Sequence, residues 1–382
     1  MQRPENEAAV AAAIHDAQGP LRIEGGGTRP IGRPVEGDVL SLAGLSGITL
    51  YEPGALTLVA QAGTPMDEIE AALASEKQML AFEPSDLRRL LGTEGAPTIG
   101  AVVAGNVSGP RRVSAVGACR DALLGVRFVD GSGTVLKNGG RVMKNVTGYD
   151  LTKLMCGAHG TLGALTEVSL KVLPRPEAAA TLTFTGLTTA QAIDVMSAAL
   201  TTPFEVSGAF FGPSGDGGTV HLRVEGMESA VAYRADALTK ALAAHGTAQV
   251  VTDSAQSDGL WADIRDMVYL ADHSLVTRTA LRPSQAAAFI AAAEAEADMT
   301  HYLDWGGGLV WSGARTANAG LVTALQSASG ALGGHTTLIK APTDVRAAVP
   351  SFQPENPTLA ALSKALRDKF DPRGILNPGV MT

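Results

Sequence analysis

Cysteine is nearly absent from this chain, with two residues in 382, Cys119 and Cys156. They form no CxxC pair, and one bridge would be a thin framework for so long a chain. They read as reduced thiols of a cytoplasmic protein. Aromatic residues are scarce too, at 4%, and the net charge is −8, which argues against nucleic-acid binding in bulk. No run reaches the roughly 18 apolar residues of a membrane span. The opening MQRPENEAAVAAAIHDAQG lacks the long apolar stretch of a signal peptide. A cytoplasmic protein is expected, with peripheral docking to a membrane complex left open. Charged residues make up only 18% against 45% hydrophobic, which favours a large core and excludes disorder.

Several chemical signatures are also missing. Without GxGxxG or GxxxxGK[ST], neither a dinucleotide Rossmann site nor a P-loop is expected. Without HExxH or a Cys/His cluster, neither a zinc protease site nor an iron–sulfur cluster is supported, and no metal site is predicted. GxSxG is absent, which argues against a hydrolase elbow.

What the chain has in abundance is glycine, 44 residues in clusters with no three-residue period. EGGGT (24–28), GAVVAGNVSG (100–109) and GTLG (160–163) are the notable clusters. Glycine loops let backbone N–H groups approach phosphate oxygens closely. In TIGAVVAGNVSGPRR (98–112) the small residues Gly100, Ala101, Ala104 and Gly105 expose main chain. Asn106 and Ser108 offer directional bonds, and Arg111 and Arg112 offer positive charge. EGGGT alone reads equally well as a turn, and GAVVAG as a helix-packing seam. Their joint occurrence points to a phosphate-bearing ligand.

The pattern predicts an amphipathic helix in residues 1–20 with Val10 and Ile14 on one side. A short strand from Leu21 enters the first glycine loop, and another strand lies in 56–65. A helix over 64–78 is capped by Thr64, with Pro65 in its first turn. The runs flanking Asp130-Gly131 predict a hairpin. Composition changes after Pro174, and residues 187–330 alternate between strands and helices. In the tail, Leu359, Leu362, Leu366 and Phe370 stand at helical spacing.

The order EGGGT, AGTP (62–65), FEP (82–84), TIGAVVAGNVSGPRR, GGRVMKNVTGYDL (139–151), GTLG and FDPRGILNPG (370–379) resembles the vanillyl-alcohol-oxidase type of FAD-binding proteins. SGPRR, GGRVMKNVTGYDLTKLM and GGHTTLIK (333–340) resemble most the FAD-binding E-type subunit of bacterial glycolate oxidase. The resemblance implies an α+β fold. Two α+β FAD-binding subdomains would occupy 1–175, an α+β cap domain 176–332, and a segment returning to the FAD domain 333–382. It implies that Gly25, Gly26, Gly27 and Thr28 form the first pyrophosphate loop. Thr98, Gly100, Gly105, Asn106, Ser108 and Gly109 would continue the cradle, with Arg112 nearby. Gly160, Thr161 and Val168 would approach the cofactor through main chain, and Asn377 would sit near the flavin end. Thr28 stands where some relatives tether the flavin to His or Cys, so the FAD is expected to be non-covalent. A GDGNxH-like metal motif of related dehydrogenases is reduced here to His335.

The implied function is oxidation of glycolate or a similar 2-hydroxy acid to the keto acid, here glyoxylate. The implied partners are a second FAD-binding subunit and an iron–sulfur subunit that takes the electrons. The alternative is a structural or electron-relay subunit that binds FAD without substrate turnover. Such chemistry needs a proton acceptor and a cation for the carboxylate. His335 and Lys340 are the candidate pair, although an odd spacing of five requires a bulge for them to share a strand face. Arg278 and Arg282 are read either as carboxylate holders or as solvated side chains. Lys144 is read as a flavin neighbour or an edge-strand charge. Asp150 is read as a helix cap.

Overall fold

Asn6 starts the first helix, its side-chain oxygen accepting from Ala9 N at 2.9 Å. That helix, α1 (Glu7–Asp16), buries Val10 and Ile14. The computed structural model describes residues 1–111, 116–141, 148–214 and 217–381. The chain divides into two units. The first comprises Met1–Gly109, Gly117–Arg175 and Pro354–Thr382; the second comprises Pro110–Val116 and Pro176–Gln353.

In the first unit, β1 (Leu21–Glu24) runs parallel to β2 (Asp38–Ser41). Leu21 and Leu40 join Val10, Ile14, Ile375 and Leu376 in one small core. An antiparallel sheet follows, made of β3 (Ile48–Glu52), β4 (Thr57–Gln61), β5 (Leu123–Val129), β6 (Val135–Gly139) and β7 (Ala164–Lys171). Its spatial order is β3-β4-β7-β5-β6. Helices α2 (Met66–Ser75), α3 (Ile99–Ala104) and α4 (Leu151–Met155) contribute Ile69, Leu73, Val102, Val103 and Met155 to its core. The β5–β6 turn matches its sequence signal: Asp130 Oδ1 accepts from the N–H groups of Ser132 and Thr134, and Gly133 takes φ +83°. Asp150 caps α4, accepting from Lys153 N at 3.0 Å.

Thr64 does not cap α2. Pro65 holds the N-cap position, and the Thr64 hydroxyl donates to Gln61 O while accepting from Gly47 N. The threonine ties two loops together and is not free to cap.

The second unit carries one sheet. Its strands are β8 (Ala178–Leu187), β9 (Val206–Ser214), β10 (Gly217–Gly226), β11 (Gln249–Val251), β12 (Leu275–Ala280), β13 (Met299–Asp304), β14 (Leu309–Ala314) and β15 (His335–Lys340). They lie in the order β11-β8-β10-β9-β13-β14-β12-β15. Alternation along these strands sends Leu182, Phe184, Phe211, Leu222, Leu303 and Val310 into one core. There they meet Val195 of α5 (Thr189–Leu200), Leu238 of α6 (Glu228–Ala241), Phe289 of α8 (Ala286–Glu296) and Leu325 of α9 (Ala319–Ala331). Helix α7 (Ser254–Arg265) brings Trp261 Nε1 to Thr181 Oγ1 at 2.9 Å.

Two boundaries differ from the sequence expectation. The return to the first unit begins at Pro354 and not at 333, because residues 335–340 pair with β12 as the last strand of the second unit's sheet. Residues 110–116 belong to the second unit although they fall within 1–175. The reason is charge: Arg111 Nη2 meets Glu225 Oε1 at 2.7 Å, and Arg223 Nε meets Glu225 Oε2 at 3.3 Å. All three side chains are nearly enclosed, and Arg223 also lies over the Trp261 ring. No helix among the described residues is long and apolar enough to cross a membrane.

Glu225→Ala removes the carboxylate that both enclosed guanidinium groups meet. The expected loss is about 3–5 kcal/mol, read from urea unfolding; a loss below ~1 kcal/mol would show that water already solvates the pair. A second expectation concerns pH. Burial pushes the imidazoles of His221 and His301 down to about 4. His301 meets Ser312 Oγ at 2.8 Å, and His221 meets Thr183 Oγ1 at 3.0 Å. Below the ordinary histidine range the unfolded chain takes up protons first. Stability is therefore full above pH ~6.5 and is lost as pH falls toward ~4. Urea midpoints across that window should fall less steeply in His301→Asn than in the wild type; identical slopes would refute the assignment for His301.

Candidate functional site

Strand β1 ends at Glu24, and the chain turns through three glycines for two different reasons. A Cβ on Gly25 would lie 2.1 Å from Thr98 Oγ1, and one on Gly26 would lie 1.8 Å from the Ala96 carbonyl oxygen. Gly27 sits at φ +70°, a conformation that suits glycine. Gly95 closes the contact from the other side, with φ +101° and room for no Cβ against Gly26 O. Thr93 Oγ1 donates to Thr28 O at 2.9 Å. Segments 25–28 and 93–98 are thus pressed backbone to backbone.

The N–H groups of Gly26, Gly27 and Thr28 have no acceptor among the described residues. The Thr98 hydroxyl beside them is buried and also lacks a hydrogen-bond partner. Uncommitted N–H groups next to an uncommitted buried hydroxyl suit an anion such as a phosphate. Residues 25–28 and 98 therefore fit a pyrophosphate-bearing group.

The other residues expected at the site have partners of their own within the fold. Gly100 packs α3 onto β4: its N–H donates to Ala62 O at 2.8 Å, and a Cβ would stand 2.6 Å from Ala62. Gly105 is the C-cap of α3, and Asn106 follows at φ +46°. Asn106 Oδ1 accepts from Arg120 N, and Ser108 Oγ accepts from Cys119 N, each at 3.0 Å. Both side chains that the sequence offered to a ligand are engaged in starting the turn at 119–122. Gly109 N donates to Phe82 O. Thr161 Oγ1 donates to Ala158 O at 2.7 Å. Val168 is fully buried in β7 between Ala60 and Val126. Arg112 and Lys144 lie outside the described residues. Both thiols are buried, and burial together with the Cys156 thiol pushes Cys119 well above the usual range.

Asn377 does more than its sequence position suggested. Its Oδ1 accepts from Ile23 N at 2.7 Å, and its Nδ2 donates to His159 O at 2.9 Å and to Ile23 O at 3.3 Å. Its own N–H donates to Leu21 O. The tail therefore lies against β1, just before the glycine loop, and clasps the 159–160 turn. Gly160, at φ +71°, has no space for a Cβ beside Asn377 Nδ2. Arg373 holds the tail from behind, donating to the carbonyls of Ile14, His15, Ala17 and Gly131. Asp371 Oδ2 accepts from Leu376 N at 2.7 Å. Gly95, Ala96, Asp371 and Arg373 were missed as contributors, although GAPTIG and FDPRGILNPG carried the signal.

The His335–Lys340 pair belongs to the second unit. A register shift sets Lys340 opposite Val276 and Leu338 opposite Thr277, so a bulge brings both residues onto one face of β15. They nevertheless occupy opposite ends of the strand, ~16 Å apart along the backbone. Lys340 Nζ is held by Ala271 O at 2.7 Å. The pair is not brought together. Arg278 lies between them on β12, opposite Thr337, with its guanidinium 5.9 Å from the Trp311 ring centroid. Arg278 is half-buried, and burial lowers its pKa. No group of three or more His, Cys, Asp or Glu suited to a metal ion occurs among the described residues.

The model of a family described as an FAD binding domain matches residues 2–139. Glycolate oxidase subunit GlcE of Escherichia coli (strain K12) is 33% identical over 375 residues, covering 97% of this chain and 95% of that protein. Glycolate oxidase subunit GlcD of Bacillus subtilis (strain 168) is 32% identical over 166 residues, covering 43% of this chain and 34% of that protein. A solved structure of alkyldihydroxyacetonephosphate synthase superposes with a TM-score of 0.72 at 15% identity, covering 98% of this chain and 76% of that one. That likeness is one of fold, the vanillyl-alcohol-oxidase type.

Replacing Asn377 with alanine removes three side-chain bonds that hold β1 to the 159–160 turn. The expected loss is ~1–3 kcal/mol in urea unfolding. Asn377→Asp sets a buried carboxylate oxygen against the carbonyls of Ile23 and His159 and should cost at least as much as alanine. An alanine variant as stable as the wild type would show that the clasp carries no load.

Proposed function

The chain belongs to the family of GlcE-type glycolate oxidase subunits, and on that basis we propose that its glycine cradle holds FAD for the oxidation of glycolate or a similar 2-hydroxy acid. It is an FAD-dependent oxidoreductase subunit of the vanillyl-alcohol-oxidase type. The observation that carries the cofactor site is the contact between Gly25–Gly26 and Ala96–Thr98, beside three uncommitted N–H groups. Gly26, Gly27, Thr28 and the Thr98 hydroxyl hold the pyrophosphate. Gly100, Gly105, Asn106, Ser108 and Gly109 shape the segment behind it. Gly160 and Thr161 present main chain toward the ring system, and Asn377 keeps that turn against β1, while Val168 is buried within the sheet. No His or Cys follows the three glycines, so the flavin is held without a covalent bond.

Bound FAD supplies a two-electron acceptor for the hydrogen leaving the substrate α-carbon. The chain's own residues fix that acceptor and carry no further redox centre. Two cysteines cannot supply the four thiolates of a usual iron–sulfur cluster. Electrons therefore leave to a partner iron–sulfur subunit, with a second FAD-binding subunit completing the assembly. The assembly resides in the cytoplasm or attaches to the membrane surface through its partners. One observation favours a second reading, a relay or structural FAD subunit without substrate turnover of its own: His335 and Lys340 stand at opposite ends of one strand.

The purified chain should carry flavin with its visible absorbance. Gly26→Ala should lose it while keeping the wild-type far-ultraviolet dichroism, because the new methyl collides with the Ala96 carbonyl. Full flavin content in that variant would refute the cradle. Anaerobic glycolate that bleaches the flavin of the isolated chain assigns turnover to this subunit. Bleaching only in the assembled complex assigns it the relay role.

A further inference from the structure

The tail helix α10 (Pro357–Phe370) is well specified and yet buries no residue. Asn356 caps its start, accepting from Leu359 N at 3.0 Å, and Pro357 opens its first turn. Its end is anchored: Phe370 O accepts from Gly131 N at 2.8 Å, and the Phe370 ring stands 6.2 Å from that of Phe128. The half-buried side chains are Ser363, Arg367 and Phe370. Leu359, Leu362 and Leu366 are left 51%, 59% and 40% exposed. A helix of this length is marginal in water unless an apolar face is packed. Contiguous apolar stripes left open on a folded surface mark contacts with another molecule.

The spacing and charge say what kind of molecule. Residues 359, 362 and 366 repeat as i, i+3, i+7, the narrow seam by which one helix packs against another protein surface. A lipid surface requires a broader apolar face than three leucines provide. The helix carries Lys364, Arg367 and Lys369 against Asp368. Lys364 pairs with Asp368 at 2.6 Å, while Arg367 and Lys369 have no anionic partner among the described residues. Packing against a second copy of this helix is opposed in both directions. An antiparallel mate would set the basic end against the positive pole of its dipole, and a parallel mate would set basic against basic.

We propose that α10 is a docking helix whose Leu359–Leu362–Leu366 seam enters an apolar groove, rimmed by carboxylates, on another subunit of the oxidase assembly. The proposal rests on the subunit reading given above. The test co-expresses the tagged full-length chain with the second FAD-binding subunit and the iron–sulfur subunit, then measures their recovery. Leu362→Glu with Leu366→Glu should cut recovery by about tenfold or more, with flavin content and thermal midpoint unchanged. Lys369→Glu should weaken recovery further at low salt than at high salt. Undiminished recovery with the leucine variant overturns the docking helix and leaves the subunit reading intact. A wild-type dimer in light scattering that the leucine variant converts to monomer gives the seam to a second copy and overturns the proposal. So does leucine-dependent sedimentation with phosphatidylglycerol vesicles. Failure of the wild-type chain to recover either subunit removes the subunit reading and the proposal together.

Discussion

The arrangement of the first unit depends on one steric constraint: two stretches of backbone, 25–28 and 93–98, lie in direct contact with no side chain between them. A Cβ at Gly25 or Gly26 would overlap atoms of Thr98 or Ala96. The N–H groups of Gly26, Gly27 and Thr28 and the hydroxyl of Thr98 have no partners among the described residues. The Thr98 hydroxyl is buried, and an unpaired buried hydroxyl is unfavourable unless a ligand satisfies it, whereas the exposed Gly27 amide is open to water or to a ligand. The tail supplies the reinforcement. Asn377 holds the strand that leads into the loop, and Arg373 secures the tail to the end of α1.

Much of this was legible from local pattern. The three glycines, the hairpin at Asp130, the Asp150 cap and the spacing of the tail leucines are signals carried within a few residues. The roles of Asn106 and Ser108 were not, because the same side chain can serve a ligand or a backbone N–H, and their actual partners lie 14 and 11 residues away. Arg111 is the clearest case. Its sequence neighbours place it with the glycine stretch, whereas Glu225, 114 residues on, decides where it goes. Strand 335–340 was likewise assigned to the tail because nothing local reveals pairing with residues 276–280.

The division of labour follows from these contacts. The first unit carries the glycine loop and α10, whose leucines are exposed. The second unit is held together by a continuous apolar sheet face and by an enclosed Arg–Glu–Arg group. His335 and Lys340, the pair expected from the sequence, stand at opposite ends of one strand and are not brought together.

The most direct measurement is hydrogen exchange of the backbone amides in the apo chain and in the chain reloaded with FAD. Slowed exchange at Gly26, Gly27 and Thr28 on loading is the expected result, since these amides gain acceptors only from the cofactor. Unchanged exchange at all three with flavin fully bound would contradict the cradle and place the pyrophosphate elsewhere.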